Sequence, residues 1–205
     1  MAETIVLNYD NSLLRQSDVD LLLGPHWLND QLIGFWFEYL QNEMCQDLNA
    51  CLISPEVAQF IKLGSSEDIA VMVEPLNLKS KSFVIIPVND SSSFDSPGGS
   101  HWSLLVYCGT EETFYHVDSM FGINLEEASK TAVKLNLSKL KTVELNCARQ
   151  KNSWDCGIYV CCYAELIIKN YQSKCNVISL PKLDEEVVKS QRNTMATIIS
   201  QLKLK

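Results

Sequence analysis

Apolar positions along this chain change their period twice. Leu32, Ile33, Trp36, Tyr39 and Leu40 return at three- and four-residue intervals, the period of a helix with one buried face. Asn29 and Asp30 stand ahead of that run as capping residues. Ser54-Pro55-Glu56 announces a second helix, with Ser as cap and Pro at the first helical position, running to about Lys62 before Gly64. A third is predicted from Ser65 to Glu74 and is stopped by Pro75. The period then shortens. Phe83 to Val88, Trp102 to Tyr107 and Thr113 to Val117 are short, β-rich runs bounded by polar residues or Gly, and they read as strands. Helical spacing resumes from Glu126 to Leu137, Lys141 to Leu145 reads as one more strand, and Gly157 to about Tyr171 as a buried helix. Asp184 to Leu202 forms a terminal helix, acidic at its start and basic at its end, as the helix dipole prefers.

Helices, then a cluster of strands, then helices again predict an α+β fold with a central, mostly antiparallel or mixed sheet. No internal repeat or linker divides the chain, so residues 1–205 are expected to form a single domain. Asn89 to Ser100, rich in Ser and Gly, is the one flexible segment, and it leads into His101 as a candidate substrate-gating loop.

The hydrophobic fraction of 46% with 20% charged residues is globular and argues against disorder. No run of eighteen apolar residues offers a membrane span, and the acidic N-terminus lacks a signal peptide's basic start and long apolar centre. The expected location is therefore the cytosol, with the nucleus open to so small a chain. A net charge of −8 makes nucleic acid a poor partner and favours a partner with a basic segment. The eight cysteines, at 45, 51, 108, 147, 156, 161, 162 and 175, are expected to be reduced. They include neither C-x-x-C nor another zinc spacing, so no metal is expected. Seven read as small buried hydrophobes.

Cys156 is the exception. It sits just ahead of the apolar run Ile158 to Ala164, at the first turn of a buried helix, where unpaired N–H groups and the dipole favour a thiolate. His101 lies where a loop meets a strand and serves as the candidate base, with Asp118 to orient it. Gln150 is the candidate oxyanion donor beside backbone N–H groups near Cys156. Of the other histidines, His26 lies in a turn, whereas His116 shares a strand face with Asp118 and is the rival base. Thiol, imidazole, carboxylate and amide together point to acyl transfer, most simply hydrolysis.

The order Gly99-Ser100-His101-Trp102, an Asp seventeen residues on, and Gln150 separated by five residues from Cys156-Gly157 resembles the Ulp/sentrin-specific proteases. These are papain-like (Ulp/adenain-type) cysteine proteases that process ubiquitin-like modifiers. The likeness extends to Ser12 to Val19, Trp27-Leu28-Asn29-Asp30, Ile53 to Val57 and Glu74-Pro75-Leu76, and is greatest to the compact branch acting on the neddylation modifier (Nedd/Rub). Arg149, where relatives often carry a second Gln, and the bulky Trp154 depart from the pattern.

The resemblance implies the papain-like fold and a thiol protease that cuts after the modifier's terminal Gly-Gly, trimming its precursor or removing it from conjugated proteins. Cys156 would attack, His101 would shuttle the proton, Asp118 would orient His101 and Gln150 would hold the oxyanion. Trp27 and Trp102 would form the lid and floor of a narrow glycine tunnel. Asp30 would pair with an arginine in the modifier's tail, beside Asn29. No cofactor is called for, and a monomer is expected. SUMO or ubiquitin as the modifier, an acyltransferase of similar site, and an inactive modifier-binding module are the alternatives. The last two are disfavoured by the lack of a basic pocket and by the intact four residues.

Overall fold

The computed structural model describes residues 3–94, 98–139, 141–172, 180 and 183–204. Its centre is a five-stranded mixed sheet: β3 (Ala50–Leu52), β4 (Phe83–Asn89), β5 (Trp102–Cys108), β6 (Thr113–Val117) and β7 (Val143–Glu144), in that spatial order. The outer pairs β3·β4 and β6·β7 are parallel and the inner pairs antiparallel. A separate antiparallel hairpin, β1 (Ile5–Tyr9) and β2 (Ser12–Arg15), opens the chain.

Side-chain alternation divides the interior into two cores. Phe83, Ile85, Leu104, Val106, Tyr115 and Val117 face α2 (Asp30–Met44), α6 (Cys156–Gln172) and α7 (Glu185–Lys203). Val84, Ile86, Val88, Leu105, Tyr107 and Phe114 face α3 (Pro55–Leu63), α4 (Ser66–Val73) and α5 (Leu125–Leu135). Covered on both faces, β4 to β6 are buried along almost their whole length and read as near-continuous apolar runs, interrupted by Ser103 and His116, rather than alternating ones. Pro87 sits in β4 beyond the short β3, which pairs only with Phe83 to Ile85, so its missing N–H breaks no ladder on that side.

The predicted caps are present: Asn29 Oδ1 accepts from Leu32 N and Ser54 Oγ from Val57 N, with Pro55 opening α3. Asp184 caps α7. The third helix ends at Val73, and Pro75 falls in a following 3-10 turn, Glu74–Leu76. The strand expected over 141–145 is reduced to Val143 and Glu144, and α5 stops at Leu135 because Asn136 takes a left-handed conformation. A short helix α1 (Gln16–Asp20) with the 3-10 turn Leu21–Leu23 joins the hairpin to the segment before α2. Among the described residues no helix is long and apolar enough to cross a membrane.

Candidate active site

His101 precedes β5, and its backbone is clamped before its ring is considered. The Asp90 carboxylate accepts from Ser100 N (2.6 Å), Ser100 Oγ (2.7 Å) and His101 N (3.0 Å). Burial raises the Asp90 pKa, but these donors outweigh it and hold the carboxyl below its ordinary value. The His101 carbonyl accepts from Asp90 N and from the side-chain amides of Asn89 and Asn124. Gly99 has φ +90°, and a Cβ there would lie 2.0 Å from Asn89 Oδ1, so only glycine fits. On the cavity side, the buried Lys62 of α3 donates to the carbonyls of Asn89 and Ser91 and lies 3.7 Å from Glu127. The base of the 89–100 loop is thus fixed by α3; the gating expected of the loop as a whole involves residues 95–97, outside the described set.

Asp118 lies in the turn after β6. Its Oδ1 accepts from Met120 N (2.8 Å) and meets His101 Nε2 at 2.7 Å, while Oδ2 accepts from Asn124 N (3.1 Å). Burial opposes its charge, yet the His101 bond and the two backbone donors prevail, and its pKa is lowered. For His101, burial pulls the pKa down. Hydrogen bonds with Asp118 and Cys156, and the charges of both, overcome that and raise it to about 9. His101 Nδ1 is buried, without an oxygen or nitrogen partner among the described residues, and is left to the Cys156 side.

Cys156 is the first residue of α6, and the helix is buried continuously from Cys156 to Ala164. Its thiol lies at the wall of a cavity of about 710 Å³, shared with His101, Trp27, Trp102, Asp30 and Gly99. The cavity wall is itself tied down: Trp102 Nε1 donates to Leu28 O (3.1 Å), and Trp27 Nε1 donates to Ser153 O. Leu28 packs so closely that a Cβ on Gly157 would come within 2.9 Å of its Cβ. Trp27 is half exposed and Trp102 largely covered, the arrangement of a wall facing solvent and a wall facing the core.

The remaining sequence candidates are less direct. Gln150 does not line this cavity. Its Oε1 accepts from Ser119 Oγ (2.7 Å) and its Nε2 donates to Asn152 O (2.6 Å), which leaves the second amide hydrogen for another acceptor. Asn29 lines the cavity, but its amide caps α2 and donates to Asp18 Oδ1 (2.7 Å). Asp30 is exposed at the cavity edge, and its Oδ1 accepts from the N–H of its neighbour Gln31.

His116, the rival base, is fully buried and engaged elsewhere, with Nδ1 at 2.5 Å from Glu144 Oε2 and Nε2 at 2.9 Å from Ser103 Oγ. β6 ends before Asp118, so the i, i+2 face rule no longer applies there. Cys45, Cys108, Cys161 and Cys162 are buried as small apolar groups, whereas Cys51 and Cys147 are half-buried and Cys175 lies outside the described residues. Burial pushes the thiols of Cys45 and Cys147 up to about 11 and those of Cys161 and Cys162 higher still. Thiols held so far up are protonated and unreactive at neutral pH. Among the described residues no three His, Cys, Asp or Glu side chains gather in a set that could ligate a metal ion. Sequence reasoning missed Asp90 and Asn124, whose contacts with His101 and Asp118 depend on loop closure.

Sentrin-specific protease 8 of Homo sapiens is 41% identical over 209 residues, covering 98% of each chain. NEDD8-specific protease 1 of Arabidopsis thaliana is 36% identical over 175 residues, covering 82% of this chain and 77% of that protein. Among solved structures, the C-terminal Ulp1 protease domain in complex with Smt3, the yeast ortholog of SUMO, superimposes with a TM-score of 0.74 at 22% identity, covering 100% of this chain and 90% of that one, and shares the fold. Residues 26–203 match the model of the Ulp1 protease family C-terminal catalytic domain, and the chain therefore belongs to the Ulp1 family of cysteine proteases.

Proposed function

We propose that this protease cuts after the C-terminal Gly-Gly of a ubiquitin-like modifier, NEDD8 in the first place, both trimming the precursor and releasing the modifier from conjugated proteins. The choice of modifier is carried by one observation, the 36% identity to a plant protease named for NEDD8 specificity. The catalytic roles rest on the site's geometry. The chain acts as one catalytic unit and as a monomer, in the reducing cytosol where a free thiol stays active.

In this reading the modifier's tail enters the cavity that Trp27 and Trp102 both line, and the two aromatic side chains close over glycine and exclude larger side chains. Asp30, exposed and with no cation beside it among the described residues, takes a basic residue of the tail. The Cys156 thiolate attacks the carbonyl of the last glycine. The resulting oxyanion accepts from the second hydrogen of Gln150 Nε2, after a side-chain adjustment, and from backbone N–H groups at the start of α6. His101, held as imidazolium by Asp118, gives its Nδ1 proton to the departing amine as the C–N bond breaks. Water then gives a proton to His101 and attacks the thioester, and Cys156 leaves as thiolate. Among the described residues Nδ1 has no other oxygen or nitrogen partner to hold that proton back.

The test is a parallel reaction with C-terminal electrophile probes built on NEDD8, SUMO and ubiquitin, wild type beside Cys156→Ala. A Cys156-dependent adduct with the NEDD8 probe alone is expected. Adducts with SUMO or ubiquitin instead would keep the chemistry and overturn the modifier. No adduct with any probe, or one that survives Cys156→Ala, would remove the assignment altogether.

A further inference from the structure

Asp155, immediately ahead of the candidate nucleophile, occupies the position from which an Asp ordinarily caps a helix by accepting from the second or third N–H group. Its carbonyl does accept the first helical bond, from Tyr159 N (2.9 Å). Its carboxylate goes elsewhere. Oδ1 accepts from Arg192 Nη2 (2.8 Å) and Nε (3.3 Å), and Oδ2 accepts from Asn152 Nδ2 (2.7 Å). The guanidinium of Arg192 donates further to Leu21 O (2.8 Å) and His26 O (2.7 Å). Arg192 projects from α7, thirty-seven residues along the chain, and both partners are largely covered, with side chains 13% and 19% exposed. Four bonds from one planar fork to three residues, Asp155, Leu21 and His26, make a rigid junction that a lysine could not reproduce.

We propose that Arg192 is a positioning residue for the hydrolysis: it holds the Asp155 carboxylate off the first N–H groups of α6, leaving them to Cys156 and the oxyanion, and ties His26, the residue before the cavity-lining Trp27, to the same point. A carboxylate released from Arg192 would turn onto Gly157 N or Ile158 N. It would then occupy donors the oxyanion needs and set a like charge beside it. Trp27 gains from the same junction, since its indole N–H is held by Ser153, inside the loop that Arg192 and Asn152 order.

This inference rests on Cys156 being the nucleophile of the reaction proposed above. Its test measures kcat and KM separately on a fluorogenic C-terminal amide of whichever modifier labels the wild-type enzyme. Arg192→Ala is expected to lower kcat about 10- to 100-fold, short of the full loss of an oxyanion donor. The decisive variant is Arg192→Ala with Asp155→Ala, which removes the released carboxylate and should recover at least about tenfold of that kcat, a reversal that damage to the fold would not give. Arg192→Lys guards against unfolding: it keeps a cation and should melt near wild type, yet lose kcat for want of the fork. Unchanged kcat in Arg192→Ala, or a folded double variant no faster than the single one, overturns the proposal. An inactive wild type would instead remove the underlying reading of Cys156.

Discussion

Replacing Asp118 with Asn keeps the shape of the side chain and removes its charge at a single buried contact with His101. His101 stands at about 9 against an ordinary 6.5, which at 1.36 kcal/mol per unit is roughly 3 kcal/mol in favour of the imidazolium. Burial works against that total, so the hydrogen bonds and charges of Asp118 and Cys156 together exceed it. With the Asp118 share gone and burial unchanged, the His101 pKa should fall by about one to two units, or ~1.4–2.7 kcal/mol. The imidazolium needed to protonate the leaving amine would then be scarcer by about 10- to 100-fold on the alkaline side. A kcat/KM profile from pH 5 to 10 on a modifier amide reads this directly, because its limbs report ionisations of the free enzyme. Wild type should lose activity as pH rises through about 9, and Asp118→Asn at least one unit lower. Stability follows the same sign. A raised His pKa stabilises fully below 6.5 and loses that contribution as pH climbs through about 9, so the wild-type advantage in melting temperature should shrink across that window. An alkaline limb that stays put in Asp118→Asn would refute the pairing as the source of the raised pKa.

His101→Ala should abolish turnover in the same assay, while His116→Ala should fold less stably but retain activity once folded, since its ring is committed to Glu144 and Ser103; the opposite pattern would exchange their roles. Gly157→Ala would gain about 1 kcal/mol of helix propensity on an open surface. Here a Cβ 2.9 Å from that of Leu28 should reverse the sign, costing about 1–3 kcal/mol in thermal unfolding and weakening probe labelling, and a stabilised variant would contradict it. Asn29→Ala removes the cap of α2 and the bond to Asp18, and should cost about 1 kcal/mol, or a fall of about 2–4 °C in melting temperature. An unchanged melting temperature would mean that Asn29 is there for a ligand rather than for the helix.

Where local chemistry decides the structure, the sequence was readable. Ser54-Pro55 and Asn29 are caps whose geometry depends on neighbours a few residues away, and the structure uses them so. The doubly buried strands announced themselves by near-continuous apolar runs. The hairpin β1–β2 carried a signal that went unread, an Asp10-Asn11 pair between apolar runs, with Asp10 at φ 48°. β3, three residues long, has too few positions to show a period. The spacing of His101, Asp118 and Cys156 was legible as chemistry, but the way Asp90 and Asn124 fix the His101 backbone depends on which loop returns beside which strand. Arg192 shows the limit most clearly: nothing in the α7 pattern distinguishes it from a solvated arginine, and only tertiary contact gives it Asp155.

The two cores on either side of the sheet have a consequence for when the protein is dangerous to its surroundings. Cys156 belongs to a helix sunk in the core with α2 and α7, whereas the backbone around His101 is braced by α3 and by Asn124 ahead of α5, on the opposite side. Thiol and imidazole therefore meet only after both layers have docked on the strands between them. A nascent or heat-loosened chain that has recovered its helices without their packing carries a cysteine and a histidine but no working pair. Proteolysis is thereby coupled to the final step of folding, and turnover measures tertiary order where circular dichroism would still report a nearly native chain.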